Sequence, residues 1–155
     1  MFSRTVPVAV FALILSVLAS SAMAAGPATQ TIKTQVGFDA LWERLETAVK
    51  ANGMFVITRA SASRGAAGRD IEIPGNLVIG VYRNDFAVRM LAASIPAGIE
   101  APLRFYVTEN ADGTASLTYH KPSDTFAPYG SAALDKMAAE LDTIWEKIVK
   151  QAAGG

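Results

Sequence analysis

The chain contains no cysteine and a single histidine, His120, among its 155 residues. Without thiols it forms no disulfide and supports neither thiol redox exchange nor thiolate ligation of a metal. With one histidine it lacks the three or four Cys, His or carboxylate ligands of an ordinary zinc centre, and no metal or cofactor is read from it. No serine sits in a Gly-x-Ser-x-Gly elbow, so a histidine-dependent triad would rest on His120 with nothing to mark its nucleophile. Gly65-Ala66-Ala67-Gly68 lacks the lysine and hydroxyl of a phosphate loop. Fourteen basic residues balance fourteen acidic ones, and a chain with no basic field is no nucleic-acid binder.

Long apolar runs are also missing, apart from Val6 to Leu18. As a helix that run spans only about 20 Å, whereas a bilayer core needs about 20 apolar residues, so it predicts no permanent membrane anchor. Arg4 before it and Ala22-Met23-Ala24 after it complete the pattern of an export signal. Residues 1–24 are therefore read as a signal peptide, cut near Ala24, and the product as periplasmic or extracellular. Residues 25–155 have the size of a single domain, large enough to bury a core unaided by metals or disulfides.

Within that body, alternation over Thr31 to Val36 predicts a first strand. Phe38, Leu41, Trp42, Leu45 and Val49 recur at helical spacing, and Asn52-Gly53 supplies the stop. Met54 to Thr58 and Leu77 to Tyr82 predict strands, separated by a short helical turn or loop over Ser61 to Gly68 and the turn residues Pro74-Gly75-Asn76. Asp85 is expected to cap a brief helix, Phe86 to Ala93, which Pro96 closes. Leu103 to Thr108 and Ala115 to Tyr119 read as a hairpin around Asn110-Ala111-Asp112-Gly113. A proline-bearing loop, Lys121 to Gly130, leads to a long helix with Leu134, Met137, Leu141, Trp145 and Ile148 on one stripe. Glu46 with Lys50, Lys136 with Glu140 and Glu146 with Lys150 are spaced to pair along their helices. Helix-length segments separate only some strands, which predicts an α+β fold: a mainly antiparallel sheet of about five strands, covered by two long amphipathic helices plus a short one.

The run Ile73-Pro74-Gly75-Asn76-Leu77-Val78-Ile79-Gly80-Val81-Tyr82-Arg83-Asn84, then Ala97 to Val107, then the Asp112-Gly113 hairpin into Leu117-Thr118-Tyr119, resembles the domain of unknown function 302 family. The likeness covers about residues 31–150. It implies a compact α+β fold with one antiparallel sheet backed by helices, and homodimers, and it implies no substrate. Tyr82-Arg83-Asn84-Asp85 stands where the family often has Phe-Gly-Asn-Pro, and Glu100-Ala101-Pro102-Leu103 where it often has Asp-Leu-Pro-Leu.

Chemistry gathers at few places. His120 ends a strand beside the long loop, with Tyr119 before it. Arg83, Arg89 and Arg104 are candidates for jointly holding an anion through forked hydrogen bonds. Phe105, Tyr106, Tyr119, Phe126 and Tyr129 form an aromatic set in which Phe105 and Tyr106 must face opposite ways along one strand. Met54, Met90 and Met137 suit a soft copper site but each lies on an apolar stripe, where methionine fills cores. Glu43 with Glu46 and Asp142 with Glu146 read as solvated helix faces. The weak pocket candidates are thus Arg83, Arg104, Tyr119, His120 and Tyr129. Taken together the sequence predicts an exported, non-catalytic module that binds a small or anionic molecule or associates with itself. The competing reading is a periplasmic enzyme, or a redox or metal accessory protein, that uses His120.

Overall fold

The computed structural model describes residues 28–154, so the leader read over residues 1–24 lies outside the described residues. The elements are β1 (Thr29–Lys33), α1 (Phe38–Ala51), β2 (Phe55–Ala60), α2 (Ala62–Ala67), β3 (Asn76–Tyr82), α3 (Asn84–Ala93), β4 (Leu103–Glu109), β5 (Ala115–His120), α4 (Pro122–Phe126) and α5 (Ala132–Ala153), with 3-10 turns at Pro96–Glu100 and Ala127–Tyr129. The five strands form one sheet in the order β1-β5-β4-β3-β2, every neighbouring pair antiparallel. This is the expected α+β architecture.

One face of the sheet carries the core. Leu77, Ile79 and Val81 of β3, Phe105 and Val107 of β4, and Leu117 of β5 point at Leu41, Leu45 and Val49 of α1 and at Leu134, Leu141, Trp145 and Ile148 of α5, all of them buried. The two long helices also pack on each other. Each such side chain contributes on the order of 1.5–3 kcal/mol on burial, so the paired apolar stripes hold the layers together. Met54, Met90 and Met137 are buried in this core. Among the described residues no helix is long and apolar enough to cross a membrane.

Local chemistry explains where the elements differ from the reading of the sequence. β1 begins at Thr29 and ends at Lys33; Thr34 continues the inward alternation, but its hydroxyl and its backbone N–H both donate to Ala115 O, at 2.8 and 2.9 Å, where the ladder stops. The stretch after Ser61 is a helix, α2: Ser61 Oγ accepts from Arg64 N–H at 3.1 Å, and Asn76 Oδ1 accepts from Ala62 N–H at 2.8 Å. Asp85 is not a cap. The helix starts two residues earlier than expected, at Asn84, and Asp85 in its first turn takes the Arg83 guanidinium at 2.7 and 3.0 Å. Pro122, at the first position of α4, makes part of the expected long loop helical, and Asp142 Oδ1 of α5 accepts Ser123 N–H at 3.0 Å.

Two expected helix-surface pairs are replaced by longer reaches. Glu46 is gripped by Arg59 of β2 at 2.5 and 2.9 Å, and Glu140 by Arg89 of α3 at 2.7 and 2.8 Å. A forked guanidinium matches both carboxylate oxygens, which an ammonium four residues away along the helix does not.

Candidate functional site

The register of β4 and β5 builds the site. Phe105 pairs with Tyr119, and both turn toward the helices, their ring centres 5.6 Å apart. Because successive side chains alternate, the neighbours Arg104 and His120 project to the opposite face of the sheet, which no long helix covers. At the end of the sheet where β4 begins and β5 finishes, the 3-10 turn Pro96–Glu100 delivers Glu100, β4 also delivers Leu103 from its core-facing side, and α4, which packs on α5, delivers Thr125. Glu100, Leu103, Arg104, His120 and Thr125 line one pocket of about 240 Å³.

The pocket wall is hydrogen-bonded from behind. Tyr129 Oη donates to Glu100 Oε1 at 2.8 Å, joining the two 3-10 turns. That bond to a carboxylate, followed by burial, holds the Tyr129 phenol above the ordinary tyrosine pKa. Thr125 Oγ1 donates to Lys121 O at 3.1 Å, which leaves its oxygen as an acceptor. His120 Nδ1 lies 3.3 Å from Ala28 O, a backbone carbonyl that can only accept from the ring.

The charges in this pocket are unpaired. The ion pairs among the described residues are Lys33 with Asp112, Arg59 with Glu46, Arg83 with Asp85 and Arg89 with Glu140. Arg104 has no carboxylate and Glu100 no cation within 4.0 Å among them. The pocket therefore offers a guanidinium fork, an imidazole, a hydroxyl and a carboxylate, none of which is committed to an opposite charge of the protein.

Of the residues singled out from the sequence, Arg104 and His120 come together in the pocket and Tyr129 stands one hydrogen bond behind it. Tyr119 is on the other side of the sheet against Phe105, where burial and then the charges of Glu146 and Asp142 raise its pKa. Arg83 lies over the Phe86 ring at 4.3 Å and edges a separate apolar crevice of about 30 Å³ beneath α3, room for little more than a water. Arg83, Arg89 and Arg104 do not converge, because the first two are taken by Asp85 and Glu140. Tyr106 stays 39 % exposed, facing away from buried Phe105 as the alternation requires. Among the described residues no three His, Cys, Asp or Glu side chains come together to hold a metal ion.

Sequence reasoning gave no role to Glu100 or Thr125. The signal for Glu100 was its place four residues before Arg104 across a proline turn; for Thr125 there was none. It also missed an exposed aliphatic corner, where Val88 and Leu91 of α3 meet Ile95 and Ile99.

Comparison with known proteins agrees with this fold. A crystal structure of an uncharacterized conserved DUF302 protein from Bacillus stearothermophilus superposes with a TM-score of 0.71 and 20 % sequence identity, covering 80 % of this chain and 97 % of that one. No curated protein matches the chain. Residues 30–152 fit the sequence profile of DUF302, a domain of unknown function, and with four fifths of its length inside that profile the chain belongs to the DUF302 family.

Proposed function

We propose that this chain is an exported, non-catalytic binding module whose pocket between β4, β5, α4 and the turn Pro96–Glu100 takes a small molecule through an anionic group. The observation that carries the reading is Arg104: a guanidinium with no carboxylate partner among the described residues, lining a concave pocket beside His120. Such a fork is preorganised for a carboxylate or a comparable planar anion. Leu103 adds an apolar wall, in keeping with sites that combine apolar lining and a few polar groups. His120 serves here as a binding group, since its polar partner is a backbone carbonyl rather than a carboxylate that would orient it as a base. Export rests on the leader of residues 1–24.

Native mass spectrometry of the protein purified from its own compartment tests this reading. The expected species begins near Ala25 and carries a small ligand that the Arg104→Met variant loses. A ligand-free species, with wild type and variant alike, counts against it.

A second reading, self-association, is favoured by apolar surface: Phe55 is 62 % exposed at the edge strand β2, and Ile95 and Ile99 are 78 % and 83 % exposed at the α3 corner. The same spectra report subunit number, and a bare monomer removes this reading.

A further inference from the structure

We infer that the pocket takes a zwitterion, a small molecule carrying a carboxylate and an ammonium group together, as α-amino acids do. The inference rests on the reading of this pocket as the binding site and adds the second half of the ligand's charge.

Two opposite charges of the protein face one cavity without pairing. Arg104 and Glu100 both line the 240 Å³ pocket, yet stand more than 4.0 Å apart and pair with no other ion among the described residues. A ligand bearing only an anion would satisfy Arg104 but bring its charge toward Glu100, and in a partly enclosed site that like-charge repulsion is poorly screened. A ligand bearing only a cation meets the reverse problem at Arg104. A molecule with both groups answers both charges and leaves the site neutral.

The wall gives Glu100 a hydrogen-bond donor but no counter-charge among the described residues. Tyr129 Oη occupies Glu100 Oε1 at 2.8 Å as a neutral donor, which steadies the carboxylate without cancelling its charge. Oε2 has no protein donor among the described residues, and Thr125 Oγ1, its proton given to Lys121 O, is an acceptor. An ammonium with three N–H bonds needs such acceptors in a cluster. On the other side Arg104 supplies the fork for the carboxylate, and Leu103 a contact for an apolar side chain. A volume of 240 Å³ is below the roughly 300–1,000 Å³ of sites for drug-sized molecules, and suits a small metabolite.

The test uses three probes with one carbon skeleton: L-leucine, 4-methylpentanoate, which is leucine without its amine, and 3-methylbutylamine, which is leucine without its carboxylate. Each is titrated into the leader-free protein and into its Glu100→Gln and Arg104→Met variants, reading the Thr125 amide and His120 ring resonances. Both replaced side chains lie on the pocket surface rather than in the core, and the dispersed amide spectrum of each variant verifies its fold. Leucine is expected to bind at least about tenfold more tightly than either partial analogue, the scale of one charge-assisted hydrogen bond in a partly enclosed site. Glu100→Gln should reduce leucine to the level of 4-methylpentanoate, and Arg104→Met should abolish both. If leucine and 4-methylpentanoate bind equally and Glu100→Gln changes neither, the zwitterion is overturned while the anion pocket stands. If the amine binds tightest, or no probe moves those resonances, the inference falls together with the proposed site.

Discussion

The rings of Phe105 on β4 and Trp145 on α5 stack with centroids 5.2 Å apart and planes 19° from parallel, fastening the last helix to the middle of the sheet. Trp145 is 1 % exposed, and its Nε1–H is a buried donor with no partner among the described residues. Replacing it by alanine empties the centre of the core and should cost about 3–5 kcal/mol. Phenylalanine keeps the stack and removes the unmatched donor, so Trp145→Phe should cost about 1 kcal/mol or less, the lost area being offset by the desolvated N–H no longer buried. Urea unfolding of the two variants measures the difference, and equal losses would show that the stack contributes nothing.

Gly80, in the centre of β3, is wedged beneath its neighbours. A Cβ there would run into Thr58 Oγ1 and stand 2.7 Å from Pro102 Cγ. Gly80→Ala is therefore expected to destabilise by about 1–3 kcal/mol through overpacking. Adding Thr58→Ala removes one of the two obstacles and should restore part of that loss, which a double-mutant cycle on thermal unfolding detects.

The Arg59 to Glu46 fork ties edge strand β2 to α1, and the Glu46 side chain is only 12 % exposed. The hydrogen bond from Arg59 holds the Glu46 carboxyl below its ordinary pKa, burial opposing it. A carboxyl whose folded pKa is depressed gives stability that is fully present above its unfolded value and is lost as the pH falls through its folded one. Arg59→Met should then cost about 1 kcal/mol at pH 7, discounted for the partly exposed guanidinium, and nothing once Glu46 is protonated in both states. Unfolding midpoints of wild type and variant should converge as the pH falls through the lowered folded pKa of Glu46, with Glu46→Gln showing no such convergence.

Tyr129 and Glu100 respond at the other end of the scale. Because the folded protein raises the phenol pKa, first through the bond to Glu100, the stability gained is present below the unfolded tyrosine value and is lost as the pH rises through the folded one. Ultraviolet difference titration should show one tyrosine ionising late, and Glu100→Gln should bring that phenol back toward the others. An unchanged curve in the variant would show that the two 3-10 turns are not joined in solution.

The long helices were legible because burial leaves its period in the residues themselves: Leu41, Leu45 and Val49, or Leu134, Leu141 and Ile148, are apolar at the spacing that puts them on one side. The hairpin was legible because Gly113 takes φ of +79° in its turn, and few other residues do so without strain. What escaped depends on partners far along the chain. The start of β1 at Thr29 is set by its pairing with His120, and α4 is capped by Asp142 of another helix. The pocket is of this second kind. Arg104 and His120 were visible as chemistry, but that Glu100 and Thr125 join them, and that Arg83 and Arg89 do not, follows from a sheet register and two salt bridges with no local signature.

One strand pair serves both the interior and the pocket. Sliding β5 past β4 by a single residue would send the His120 imidazole inward and bring the Tyr119 phenol out, so the oily layer that fixes the alignment also guards the polar cup on the reverse. Arg104 is exposed and His120 half-buried, and neither belongs to the buried core. A scaffold arranged in this way can vary its polar cup while its own cohesion stays intact.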